Sequence, residues 1–260
     1  MLNREDIIRH LKDFAIRKPY VFAMWLEGAD GVGAVDEYSD IDFWFDVAKE
    51  QQESFLLECI DELRKLGPVD SRMDEIREEI AQSNIHLANT PEYLTLDLCV
   101  QSHEIRGREV TCFDPADRVE QPLVLFDKDN IIRFEKRPPV STDELTAVFE
   151  NCRNRILQES RVRKYVKRGL YLEAYAKYLD NIAEPLVTIA RLIGMPEHYD
   201  YSLCHISAHL PEETVKELEK LYRVRNLEDI ERNLDWAKEL LARYEAQLRE
   251  KRKAENGNNV

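Results

Sequence analysis

The segment WLEGADGVGAVDEYSDIDFWFDV, residues 25–47, decides the reading of the fold. With the four residues before it, VFAMWLEG (21–28) is a short apolar run rich in strand formers, and Gly28 stops it. ADGVGAVDEYS then carries turn signals at Asp30-Gly31, Gly33 and Asp36, which predict a loop. IDFWFDV (41–47) alternates apolar and acidic residues and predicts a second strand. Alternate residues of a strand face the same side, so Asp40 and Asp42 project together. Two carboxylates that close repel each other unless a cation lies between them. Mg²⁺ suits the place, because it takes hard oxygen ligands, usually a couple of carboxylates with phosphate oxygens.

Outward from this segment, SNIHLAN (83–89) and YLTLDLCVQ (93–101) alternate and predict strands, parted by the turn Asn89-Thr90-Pro91. Asp97 sits between Leu96 and Leu98. A carboxylate buried there without a partner costs several kcal/mol, and a metal shared with Asp40 and Asp42 supplies one. Helical spacing predicts helices over 4–17, 49–66 and, shorter, 72–81; edge strands are expected at 109–113 and 122–126.

Pro138-Pro139 reads as a stiff linker. Beyond it, Ser141 with Glu144 three residues on is a capping-box signal, and helices are predicted at 142–167, 170–193, 211–222 and 227–252. The expectation is an α+β protein. Residues 1–138 form a small mixed β-sheet domain with flanking helices, and 139–260 form an all-helical domain.

Charge narrows the partners. The 260 residues carry a net −14, and residues 1–140 hold 17 Lys and Arg against 30 Asp and Glu. An acidic half repels phosphate backbones, so nucleic acid is disfavoured as a partner. The five cysteines are scattered without a C-x-x-C pair, which suggests neither a zinc knuckle nor a disulfide framework. No apolar run approaches the roughly 20 residues of a membrane helix, and the charged amphipathic start MLNREDIIRHLKDF is unlike a signal peptide. These features predict a cytoplasmic protein with no membrane partner.

The ordered set of apolar strand, Gly28, turn, Ser39-Asp40-Ile41-Asp42, strand and a later Asp97 in LTLDLCV resembles the DNA polymerase β-like nucleotidyltransferases. The layout of a small catalytic domain before helices is similar to that of aminoglycoside adenylyltransferases and lincosamide nucleotidyltransferases. The resemblance implies that Asp40, Asp42 and Asp97 hold two Mg²⁺ ions and are the catalytic residues. It implies that Gly28, Ala29 and Ser39 lie against the triphosphate of an NTP co-substrate, whose oxygens would accept from backbone N–H groups at the Gly28 turn. The expected activity is transfer of a nucleoside monophosphate, AMP in the nearest resemblance, to a hydroxyl of a small, cationic, antibiotic-like acceptor. Ala29 departs from the family, which carries Ser at this position, and Asp30 adds negative charge beside it.

Other candidates lie in the helical half. Lys164 and Arg168, one helical turn apart in the basic stretch NCRNRILQESRVRKYVKRG, are candidates to reach the triphosphate; a solvated basic face is the competing reading. Glu173, Tyr175 and His205 are candidates to line the acceptor pocket, with core packing as the alternative for Tyr175. His205 and His209 have i, i+4 spacing without a third metal ligand. Two rival functions fit the same residues: a transferase acting on protein or nucleic acid, and a weakly active or inactive nucleotide-binding member. No feature of the sequence encodes an oligomeric state.

Overall fold

The computed structural model describes residues 2–105 and 111–257, the last six as backbone. The chain folds as two compact units, Met1–Arg137 and Pro138–Val260.

The elements of the first unit are α1 (Arg4–Ala15), β1 (Val21–Leu26), α2 (Gly28–Val32), β2 (Ile41–Val47), α3 (Gln52–Leu66), β3 (Val69–Ile76), β4 (Ile80–Leu87), β5 (Thr95–Ser102), β6 (Cys112–Phe113), β7 (Leu123–Asp127) and β8 (Arg133–Phe134). Six of the strands form a mixed sheet of order β3-β4-β5-β2-β1-β7. β2 and β5 run parallel, and the other pairs of this sheet are antiparallel. The alternation in IDFWFDV separates the two faces of the sheet. Ile41, Phe43, Phe45 and Val47 turn inward with Leu96, Leu98 and Val100 of β5, and pack on Ile7, Leu11 and Phe14 of α1 and Phe55, Leu56, Ile60 and Leu63 of α3. Phe55 stands edge-on to Phe45 at 5.2 Å and stacks on Phe14 at 5.9 Å, so one aromatic residue joins both helices to the sheet. Asp42, Trp44 and Asp46 take the opposite face, beside Asp97, Cys99 and Gln101 of β5. Trp25, Phe113 and Ile131 form a small apolar cluster that covers part of that face.

Three expectations need correction here. Residues 72–81 are not a helix: β3 covers Val69–Ile76 and a turn follows before β4. The stretch DSRMDEI is exposed on both sides, so it lacks the apolar alternation that would mark a strand. Its pairing with β4 decides the matter, and Arg72 makes a two-pronged bond to Asp74, which also accepts from Ser83. Charged side chains on such an edge also block pairing with another chain. The loop after β1 is also not wholly irregular. Gly28–Val32 form one short helical turn closed by Gly33 in the left-handed region. Of the strand expected at 109–113, residues 109 and 110 lie outside the described residues, and Cys112–Phe113 pair in parallel with β8 instead of joining the main sheet.

The second unit contains α4 (Thr142–Leu157), α5 (Ser160–Lys167), α6 (Tyr171–Tyr178), a π-helical turn (Leu179–Ala183), α7 (Glu184–Gly194), α8 (Ile206–His209), α9 (Glu212–Tyr222) and α10 (Leu227–Gly257). The capping box forms, with Ser141 Oγ accepting from Glu144 N at 3.1 Å. The long helix expected at 142–167 is broken at 158–159, whereas the one expected at 170–193 runs from Tyr171 to Gly194 with the π turn inside it. α6 and α7 pack on α10 around buried Tyr178, Leu186, Ile189 and Leu240. Arg191 is buried and donates to Ser202 O, Cys204 O and His209 Nδ1, which pins the 199–205 segment to α7. Among the described residues, no helix is long and apolar enough to cross a membrane.

Candidate active site

Parallel pairing of β2 with β5 places Asp42 directly opposite Asp97 on the open face of the sheet. They line a pocket of about 240 Å³ with Glu27, Gly28, Trp44, Gln82 and Cys99. Asp40 lies one residue ahead of β2 and is exposed. It does not line the pocket, yet its charge acts on both Asp42 and Asp97. The three carboxylates are therefore gathered at one end of two neighbouring strands.

Their surroundings leave them poorly compensated. Burial, then repulsion from Asp40, Asp97 and Asp30, pushes Asp42 up to about 6. Burial also raises Asp97, and the amide of Gln82, which donates to both its oxygens at 3.0 and 3.1 Å, partly offsets this. Gln82 reaches Asp97 because β4 pairs with β5 and puts residue 82 opposite Cys99, one alternate position along the face. Glu27 was not singled out in the sequence. It stands at the end of β1, accepts a 2.7 Å bond from Trp25 Nε1, and is pushed up to about 7 chiefly by burial. Among the described residues, no Lys or Arg lines the pocket. A hard cation would remove the repulsion, and the donor set of carboxylate oxygens on Asp42 and Asp97, with Asp40 beside them, fits one.

Gly28 is shaped by this cluster. Its φ is +56°, and a Cβ built there would fall 2.0 Å from Asp42 Oδ2. The carboxylate thus packs directly over the bare backbone of residue 28. Gly28→Ala is expected to displace Asp42 and to lower transfer activity and Mn²⁺ affinity, each by roughly tenfold or more, because a left-handed Cβ costs about 1–2 kcal/mol before any clash is counted. Metal titration followed by electron paramagnetic resonance, beside the rate, checks this. Wild-type affinity in that variant would place the cation elsewhere.

The remaining candidates are placed as follows. Ala29 and Asp30 lie in α2. Ser39 turns its hydroxyl into its own loop, donating to Asp36 Oδ1 at 2.8 Å. Lys164, Arg168, Glu173, Tyr175 and His205 all belong to the second unit. Lys164 is exposed and lies over the Tyr165 ring, and Arg168 is exposed just past α5. Their neighbours Arg163 and Lys167 pair with Glu159, Glu231 and Asp235, the bonding of a surface helix. Glu173 is exposed, and Tyr175 is half-buried and stacked on Tyr171 at 5.9 Å. His205 is not on a helical face with His209: it precedes α8 with φ +49°, although the two rings stay 5.7 Å apart.

The chain matches no family profile and no curated protein. It is similar in structure to an aminoglycoside 6-adenyltransferase from Bacillus subtilis, at 18% identity over 96% of this chain and 91% of that one, with a TM-score of 0.37. It is also similar to a spectinomycin adenyltransferase from Enterococcus faecialis, solved with ATP and spectinomycin, at 11% identity over 92% of this chain and 100% of that one, with a TM-score of 0.39.

Proposed function

We propose that this protein is a Mg²⁺-dependent nucleotidyltransferase that moves a nucleoside monophosphate, AMP in the first instance, from NTP to a hydroxyl of a small cationic acceptor of the aminoglycoside or lincosamide type. The observation that carries the reading is the pairing of Asp42 with Asp97 across parallel strands, over Gly28, in a pocket lined by no cationic side chain among the described residues. Asp40, Asp42 and Asp97 would hold the metal. When bound, Mg²⁺ supplies neutralisation of the carboxylates and of the triphosphate. The acceptor oxygen bonds to the α-phosphorus, and the bond to the bridging oxygen breaks to release pyrophosphate. Asp97, held in place by Gln82, is the group assigned to take the acceptor's proton. Gly28 lets the backbone approach the phosphates. Lys164 and Arg168 are proposed for the triphosphate, and Glu173, Tyr175 and His205 for the acceptor.

The test is pyrophosphate release from each NTP with Mg²⁺ and a panel of cationic, neutral and anionic hydroxyl compounds. Turnover with a cationic acceptor that disappears in Asp40→Asn supports the reading, and turnover with a peptide or nucleic acid replaces it with the rival class. Glu27 strengthens the expectation of a cationic acceptor, since it adds a carboxylate to the wall beyond those given to the metal. Acceptor binding is accordingly expected to weaken several-fold between low and 0.5 M salt, because exposed charge attraction is screened beyond about 8 Å at physiological ionic strength. Calorimetric titration of the acceptor under saturating Mg²⁺ and a non-hydrolysable NTP measures this, and a salt-independent constant would rule out charge as the basis of recognition.

A further inference from the structure

Arg4 opens α1, far in sequence from the carboxylates, and its side chain is only 12% exposed. Its guanidinium spends its donors in three places. Nε and Nη2 bind the two oxygens of Asp30 in α2. Nη1 donates to Ser39 O at 2.9 Å, and Nη2 also donates to Asp40 O at 2.6 Å. Those two carbonyls belong to the residues that lead directly into β2.

The segment between these anchor points is exposed from Val32 to Tyr38. Most of its bonds are local, such as Ala34 N to Ala29 O and the turn of Asp36 with Tyr38 and Ser39. Outside the loop, Tyr38 meets the Tyr93 ring edge-on at 5.3 Å, a contact that does not hold the backbone of Asp40. Arg4 supplies an attachment from outside the loop to the backbone of Asp40, and α1 is itself anchored in the core by Ile7 and Leu11. The same fork pairs with Asp30, and the Arg4 charge partly offsets the repulsion that Asp30 exerts on Asp42. A planar, five-donor guanidinium can do this where an ammonium cannot.

We propose that Arg4 is a positioning residue that sets the Asp40 carboxylate toward Asp42 and Asp97 by clamping the Ser39 and Asp40 carbonyls to α1. This rests on the metal-site reading given above. An ordinary stabilising ion pair would look the same from the Arg4–Asp30 contact alone, so the experiment must separate the two roles. Arg4→Lys keeps a positive charge near Asp30 but cannot fork to both carbonyls. Asp30→Asn removes the ion pair but leaves the carbonyl bonds in place.

In the full-length protein, Mn²⁺ affinity is measured by electron paramagnetic resonance and the exchange of backbone amides over residues 33–41 by mass spectrometry, with kcat and KM for ATP beside them. Expected are a roughly tenfold loss of Mn²⁺ affinity and faster exchange in Arg4→Lys, the scale of one or two lost charge-assisted hydrogen bonds. Asp30→Asn should stay within about threefold of wild type, since those bonds remain. The reverse pattern, with Asp30→Asn impaired and Arg4→Lys silent, makes Arg4 a plain ion-pair partner and overturns the proposal. Both variants matching wild type also overturns it. Asp42→Asn serves as the control: if it binds Mn²⁺ as wild type does, the metal-site reading has failed, and the exchange data alone then show whether Arg4 holds the loop.

Discussion

Asp42→Asn is expected to reduce nucleotidyl transfer by roughly 10³-fold, the scale of losing one preorganised electrostatic group, while making the metal-free protein melt at a higher temperature at pH 8. The two effects have one cause. Asp42 is held opposite Asp97, close to Asp40, over Gly28, and burial with like charge raises it to about 6. At pH 8 the folded metal-free chain must carry that charge against the repulsion of Asp40, Asp97 and Asp30, which Arg4 offsets only in part. An amide of the same shape removes the repulsion, and with it the ligand that a cation needs. Relief on the order of 1–2 kcal/mol corresponds to about 3–6 °C for a chain of this size. Calorimetric scans in EDTA, with the rate measured on the same preparation, provide the check. A variant that is both inactive and less stable would mean that Asp42 is a structural residue whose loss disturbs the sheet. An active variant would remove it from the site.

Agreement or conflict between local pattern and tertiary packing decides which parts of the molecule the sequence revealed. The strand IDFWFDV was legible to the residue because its inward face is fully apolar and its outward face carries Asp42 and Asp46, so tertiary packing and local pattern agree. Asp97 stood out for the opposite reason: a carboxylate between leucines violates the local rule, and in the fold it lines the pocket opposite Asp42. β3 was illegible because an edge strand exposed on both faces has no periodicity to read, and its charges happen to fall at helical spacing. Gln82 and Glu27 follow from register. Gln82 matters only because β4 pairs with β5 at that position, and Glu27 because β1 ends where the pocket begins. Arg4 could not have been found, since nothing in MLNRED announces a contact with residues 30, 39 and 40. The π turn at Leu179–Ala183 has no sequence signal that we can identify.

The second large effect concerns pH and metal together. Glu27 is raised from 4.5 to about 7, Asp42 from 3.8 to about 6, and Asp97 is raised as well. In each case the folded protein holds its proton more tightly than the unfolded chain does. The stability these groups contribute is therefore full below about pH 4, their ordinary value, and is lost as the pH climbs through 6 and 7. Paired carboxylates such as Asp74 and Glu58 act in the other direction, but their loss falls at acid pH, below their ordinary values. The metal-free protein is thus expected to be most stable near pH 5 and to lose on the order of 2–4 kcal/mol by pH 8, allowing for the solvent that reaches the pocket. A divalent ion binds only the ionised cluster, so Mg²⁺ or Mn²⁺ should restore stability at pH 8 and add little at pH 5. Glu27→Gln should flatten the metal-free curve while leaving the metal-induced gain at pH 8 in place, because Glu27 is not among the residues assigned to the ion. Differential scanning calorimetry at four pH values, with EDTA and then with the ion, reads all three. Stability that rises from pH 5 to 8 in EDTA, or a metal effect of equal size at both ends, would show that these carboxylates are already compensated within the fold and do not await a cation.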